Sequence, residues 1–478
     1  MGRRGKTVFV DRRLSVTGQR PQAGRGVGCV MGDKNLKALV ACGEGGSIGV
    51  ARPAAFLRAM DVALEKIRKS PGAEMMRRDT LAGRCSDPEY AAWDFLMSAR
   101  NGQDDYWDPE KRRKLADPMK GFPAFRKRIS ACFACPVGCM PFSEVTEGPY
   151  AGTRGEGFWI NTLMDAVRLD ITDPAGIFRA WILSNEMGLD TDFITNVASW
   201  AFECYEKGLL SGKDTGGLNL TWGNVDAFLK LIKMVAYREG IGELLAHGVK
   251  EAAGRLGKGS HKFAIHMKGQ DSIEAYRIAK AWALGVATSP AAGKHLRGSC
   301  TGGQVFGPKD KQFEAHVYQG QPENVLWQSL TKEMEDMLGL CVYVGTWSGA
   351  YALEPSDYSA LANAVTGFEL TEEDLFFMAR RSYNLEKAFN TLHAGFTRKD
   401  DYPPERFMRE AVRSGPYRGF RCERDQWDRM LDQFYRLQGW DMETGLQTEE
   451  TLEALDLGMI LEKFKTFKDR LPKEAIER

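Results

Sequence analysis

Nothing in these 478 residues approaches the roughly 18 consecutive apolar residues that a membrane-spanning helix needs. The basic N-terminus, MGRRGKTVFVDRRLS, lacks the apolar core of a secretory signal. Charge of one sign is also missing. Lys and Arg number 65 against 64 Asp and Glu, a formal net charge of +1, so no broad field recruits nucleic acid or an anionic membrane as main partner. There is no low-complexity tract and no repeat of fixed period. Seven of the ten cysteines stand singly, unlike a secreted disulfide framework. With 43% hydrophobic and 27% charged residues the composition is globular rather than disordered. At roughly 150 residues per domain, the expectation is a soluble, cytoplasmic protein of several domains with no membrane span.

Strand patterns are scarce as well. KTVFV and LKALVAC are short β-branched runs near the start, and Gly24, Gly26, Gly28 and Gly32 punctuate the stretch between them. This predicts two strands joined by a glycine-rich loop. The loop is not a GxGxxG nucleotide fingerprint, since a strand pattern rather than a helix follows it. From Pro53 the period becomes helical, with Phe56, Met60, Ala63 and Ile67 on one face. Phe228, Leu231, Ile232 and Val235 repeat the pattern after an Asn224 cap, and Gly240 is the expected stop. Thr371 and Asp374 frame a capping box ahead of Leu375, Met378, Ala379 and Ser382. A last helix is expected over 458–471, presenting Ile460, Leu461, Phe464 and Phe467. Loops are expected over 102–123, 212–223 and 400–404. The fold class is mainly α.

The segment ACFACPVGC places Cys132, Cys135 and Cys139 in a Cys-x2-Cys-x3-Cys pattern. Thiolates at this spacing converge from one turn onto the corners of a small cluster, and Pro136 and Gly138 suit that turn. An iron–sulfur cubane needs a fourth ligand, and spacing leaves seven cysteines as candidates. Zinc is the main rival, but it commonly takes two separated pairs, and no second Cys-x2-Cys exists. Buried, unliganded cysteines are the third reading.

Several further segments resemble the aldehyde ferredoxin oxidoreductase family of tungsten-pterin enzymes, and they occur in that family's order. They are RGVGCVMGDKNLKA from Arg25, NEMGLD from Asn185, YREGIG from Tyr237, HLR from His295, DMLGLC from Asp336 and GFTRKDD from Gly395. The resemblance covers essentially the whole chain. It implies two helical domains like the family's C-terminal domains, preceded by a short β remnant. The expected division is 1–50 for the end of the β-rich pterin-base domain, 51–264 for the domain with the cysteine triplet, and 265–478 for the domain with the second pterin motif. The earlier part of the β domain is expected to be absent or to be a separate polypeptide.

The resemblance also implies cofactors and roles. Tungsten or molybdenum would sit between two pyranopterins, with magnesium bridging their phosphates, beside a [4Fe–4S] cluster held by Cys132, Cys135, Cys139 and Cys341. Asp190, Asp336, Asn185 and Leu340 would contact the pterins, and Arg25 and Gly26 their phosphates. Asn185 stands where the family has Asp, so contact there should be weaker or differently oriented. Glu156 would be the general base, and His295 a hydrogen-bond donor to the substrate oxygen. Taken singly, Glu156 reads as a surface glutamate, His295 as a structural histidine and Asp190 as a turn residue. The implied reaction is oxidation of a small aldehyde with water to a carboxylic acid, with electrons passed to ferredoxin or a dedicated iron–sulfur subunit; a homodimer is the expected assembly. Lys294 places a cation beside His295 and keeps an acidic or CoA-linked substrate, such as an aromatic acyl-CoA, in view. An iron–sulfur electron-transfer fragment without a complete pterin site is the other alternative.

Overall fold

A computed structural model describes residues 14–15, 21–23, 27–38, 46, 48–74, 76–77, 97–157, 159–298, 314–346 and 352–468. These residues are mainly helical, and the strands are short. Leu14–Ser15 pairs with Pro21–Ala23, and His266–Met267 with Gln270–Asp271. Arg126–Ser130, Met140–Glu144 and Arg154–Glu156 form a three-stranded antiparallel sheet. The chain divides into two compact units, one of 1–46, 75–275 and 404–421, the other of 47–74, 276–403 and 422–478.

In the first unit, helix Thr191–Glu206 is the axis. Every position from Thr191 to Cys204 is buried, and helices Trp159–Leu169, Pro174–Glu186, Val225–Tyr237 and Val249–Leu256 pack around it. On a helix enclosed on all sides, most polar side chains need partners within the protein. Asn196 donates to the Ile265 carbonyl and to Asp271 at 2.8 Å each, and Ser199 joins Asn101 and Arg168. Glu203 is fully buried and meets Arg406 in a bidentate pair at 2.6 and 2.8 Å. Arg406 also donates to the Asn101 carbonyl at 2.7 Å. This pair draws residues 404–421 into a unit whose other residues lie far earlier in the chain.

In the second unit, helix Gln321–Leu338 is the centre, packed by helices Lys280–Thr288, Pro355–Thr366, Glu372–Ala394 and Arg424–Gln438. Helix Pro53–Lys69 starts at the expected proline and buries Ala63 and Ile67. It belongs to this unit because Lys66 pairs with Asp357 at 2.6 Å, and the Ala51 and Arg52 amides donate to Val365 and Ala364. Thr371 and Asp374 close their capping box at the head of helix Glu372–Ala394. Helix Gly458–Lys468 buries Ile460 and Phe464; the Phe467 side chain and Leu471 lie outside the described residues.

Four expectations differ from the structure. Residues 27–33, expected within a loop, form a helix. Gly28 and Gly32 each cost a helix about 1 kcal/mol relative to Ala, and burial of Cys29 and Met31 works against that cost. The expected strand 6–10 and most of 36–42 lie outside the described residues, and Leu36–Ala38 are not in a strand. Within 102–123, Asp108 caps a helix over Pro109–Ala116 by accepting from the Glu110 amide, a Pro-at-N1 signal overlooked beside the glycines. Helix Val225–Tyr237 starts at the Asn224 cap but ends before Gly240, because Arg238 takes a left-handed conformation at φ 57° and pairs with Glu243. Helix 53–69 lies in the second compact unit and residues 404–421 in the first.

Replacing Arg406 with Met takes the bidentate partner from the buried Glu203 carboxylate and leaves it Asn101 at 2.7 Å and Lys207 at 3.6 Å, at a cost of about 3 kcal/mol. Urea unfolding and limited proteolysis read this. The R406M/E203L double variant recovers much of the loss, and an R406M chain as stable as the parent contradicts the assignment.

Candidate functional site

Within the first unit the cysteine triplet sits between two strands of the small sheet. Ser130 ends the first strand and Met140 begins the second. Between them the chain turns tightly. The Cys135 amide donates to the Cys132 carbonyl at 3.1 Å, and Ala134 and Gly138 take positive φ of 53° and 65°. Gly138 is required twice, since a Cβ there would also press within 3.0 Å of Ile129. Val137 is buried and anchors the turn, while Phe133 is fully exposed.

The described cysteines differ in exposure. Cys132 and Cys341 are exposed and Cys135 and Cys139 half-buried, whereas Cys29, Cys204 and Cys422 are buried. Burial drives the Cys204 thiol well above its ordinary range, so it stays protonated. Cys42, Cys85 and Cys300 lie outside the described residues. Among the described residues no three Cys, His, Asp or Glu side chains already converge as metal ligands. The donor set nevertheless fits an iron–sulfur cluster in kind: soft thiols, carried on a sharp turn and presented outward.

Glu156 is tied to the same segment. Its strand pairs with Met140–Glu144, and its carboxylate accepts a short hydrogen bond from Ser130, two residues before Cys132. The Trp181 indole donates to the Glu156 carbonyl at 3.1 Å. Trp181 lies on helix Pro174–Glu186, which also carries Asn185, whose amide donates back to the Trp181 carbonyl at 2.9 Å. After that helix Gly188 takes φ 70°, and Asp190 caps helix Thr191–Glu206 by accepting from the Asp192 and Phe193 amides at 2.9 and 3.3 Å. Asp190 is therefore a capping residue that can also serve a ligand, since a carboxylate has about four acceptor sites. Arg25 and Gly26 lie outside the described residues.

The second unit carries His295, Asp336, Leu340 and Cys341. His295 opens a 3-10 turn, His295–Arg297, and its ring stacks on Trp282 with centroids 4.7 Å apart. Asp336 lies in the last turn of helix Gln321–Leu338 and accepts from Lys332 and, at 2.7 Å, from Arg297. Gly339 ends the helix at φ 69°, and the half-buried Leu340 places its amide on the Glu335 carbonyl at 2.8 Å just before Cys341. Lys294 is only 1% exposed, so its ammonium is not displayed on the surface as a lure for acidic substrates.

Arg297, quoted in the HLR segment but given no role, links these residues. It donates to Glu333 and Glu386 at 2.6 Å and to Asp336. Burial opposes its charge, but the three carboxylates more than offset this and hold the guanidinium ionised. The Ser329 hydroxyl donates to the Arg297 carbonyl at 3.2 Å, and a Cβ at Gly298 would collide with Ser329. The His295 turn is thus fixed to two helices. Glu386 also borders an open cavity of about 390 Å3 walled by Pro290, Ala291, Leu385 and Phe389. Burial and the neighbouring Glu333 push its carboxyl up to about 7, because Arg297 is shared three ways.

The helical scaffold thus carries outward thiols, a capping carboxylate and a stacked histidine. Residues 65–457 match the family model for aldehyde ferredoxin oxidoreductase, domains 2 and 3, and the chain belongs to the aldehyde ferredoxin oxidoreductase family. It is 31% identical over 458 residues to a tungsten-containing aldehyde ferredoxin oxidoreductase of Pyrococcus horikoshii, a match covering 92% of this chain and 70% of that protein. It is 29% identical over 471 residues to the WOR-like subunit of an aliphatic sulfonate oxidoreductase of Pyrococcus furiosus, covering 93% and 68%. The fold matches a chain of the active-site complex BamBC of benzoyl-coenzyme A reductase, with a TM-score of 0.74 at 22% identity, over 93% of this chain and 71% of that one. Among the described residues no helix is long and apolar enough to cross a membrane.

The raised carboxyl of Glu386 gives a signed pH dependence. Between its ordinary 4.5 and about 7 the folded chain binds more protons there than the unfolded chain, so this contribution to stability falls as pH rises through that window. The melting temperature of the parent, measured against E386Q, should decline across it. A pH-independent difference contradicts the assignment.

Proposed function

We propose that this chain is the catalytic part of a tungsten- or molybdenum-dependent oxidoreductase that converts an aldehyde and water to a carboxylic acid, two protons and two electrons. The observation that carries the reading is the sorting of the cysteines, set on an alignment of 458 residues with a tungsten-containing aldehyde ferredoxin oxidoreductase. Cys132, Cys135, Cys139 and Cys341 would hold a [4Fe–4S] cluster. Asn185, Asp190, Asp336 and Leu340 would hold the two pyranopterins, with Arg25 and Gly26 at their phosphates and a bridging magnesium. When bound, the metal–pterin centre would supply a two-electron sink and the cluster a one-electron outlet.

The chain's own residues supply the proton chemistry. Glu156 takes the proton of the attacking water, and its short bond from Ser130 fixes the carboxylate's direction. His295 donates to the carbonyl oxygen as negative charge builds there, and its stacking on Trp282 restrains the ring. Electrons leave to ferredoxin or a dedicated iron–sulfur subunit in the cytoplasm.

Aldehyde oxidation by the metal-loaded protein with a viologen dye as acceptor tests these roles. E156Q and H295Q each lower turnover by about 10²- to 10⁴-fold, with iron and tungsten contents unchanged. Parental turnover in either variant contradicts its role.

A further inference from the structure

We propose that Glu335 is a positioning residue for the fourth cluster thiolate, fixing both ends of the segment that carries Cys341. The inference rests on the reading of Cys341 as a cluster ligand and adds a residue that takes no part in it directly. Segment 340–346 leaves the end of helix Gln321–Leu338 and returns to it. Its first amide, of Leu340, donates to the Glu335 carbonyl at 2.8 Å. Its last amide, of Thr346, donates to the Glu335 carboxylate at 2.8 Å. One residue therefore closes the segment, through its backbone at one end and its side chain at the other.

The closure is reinforced. The same carboxylate oxygen, Oε1, accepts from the Thr346 hydroxyl at 3.2 Å and from the Tyr358 hydroxyl at 3.0 Å. Thr346 also reaches Thr331 at 2.9 Å, and inside the segment the Val344 amide donates to the Cys341 carbonyl at 3.0 Å. Gly345 lets the backbone lie against this carboxylate. A Cβ there would fall 1.9 Å from Oε1 and 2.6 Å from the Tyr358 hydroxyl. Glu335 and Thr346 are wholly buried and Val344 and Gly345 are buried, while Cys341 is exposed. The segment is thus held from its buried side and shows its thiol on the other.

Charge agrees with this arrangement. Burial pushes the Glu335 carboxyl up from its ordinary range, and its second oxygen is shielded, with no hydrogen-bond partner among the described residues. The nearby Lys332 ammonium is committed to Asp336. An amide of the same length keeps an acceptor oxygen at the Thr346 amide. An acid one methylene shorter draws the acceptor away from the Thr346 amide.

Glu335→Gln and Glu335→Asp in the full chain, loaded anaerobically with iron and sulfide, test the proposal. The readouts are iron per chain, retention against a chelator, and the electron paramagnetic resonance spectrum. E335Q keeps the parental spectrum and iron content. E335D shows the three-iron signal of a cluster that has lost one ligand, and its iron retention falls by about 10- to 100-fold, while its circular dichroism stays parental. A parental cluster in E335D, or a three-iron cluster in E335Q, overturns the proposal. C341S separates this from the underlying reading. If C341S holds a parental four-iron cluster, Cys341 is not a ligand, and the ligand assignment fails whatever Glu335 does.

Discussion

The buried pairing of Glu203 with Arg406 is the constraint on which the first unit depends. Helix Thr191–Glu206 can be enclosed on every side only if the fully buried Glu203 carboxylate is neutralised where it lies. The desolvation cost of such a charge is several kcal/mol, so Arg406 must arrive from residues 404–421 and stay. Once that end of the helix is fixed, Asp190 caps its other end. The candidate pterin carboxylate is therefore the cap of a helix held at its other end by a buried ion pair.

In the second unit the same logic takes a different form. Arg297 collects Glu333, Asp336 and Glu386 around one guanidinium, and this places His295 and Asp336 in fixed relation to helix Gln321–Leu338. That helix then carries Glu335 in its last turns, facing inward, with Asp336 facing the clamp. Alternate sides of one helix end thus serve two tasks, holding the Cys341 segment and orienting a carboxylate. Positioning of this kind suits a redox site, where metal ligands and proton-handling groups must keep their geometry through electron transfer.

Much of this was legible from the residues themselves. Pro53, Asn224 and the Thr371–Asp374 box mark true helix starts, because capping chemistry is local and needs no tertiary partner. The cysteine triplet was legible for the same reason. Helix 27–33 was not, because its stability comes from burying Cys29 and Met31 and not from its own glycine-containing sequence. The end of helix 225–237 was missed because Arg238 takes the left-handed position beside Glu243, a role expected of glycine. Arg406, Arg297 and Glu335 were invisible as functional scaffolding. Each acts through partners distant in sequence or around a turn, and nothing in local spacing signals a shared guanidinium or a two-ended closure. Glu156, His295 and the candidate pterin residues came only from family resemblance; among them Glu156 accepts from Ser130, Asp190 caps a helix and His295 stacks on Trp282.

Metal analysis of the chain purified without oxygen tests the central claim most directly, by measuring iron, acid-labile sulfide, tungsten, molybdenum and zinc per polypeptide. The account predicts about four irons and four sulfides with about one tungsten or molybdenum. Zinc in place of iron, or a chain that binds neither iron nor a heavy metal, contradicts it.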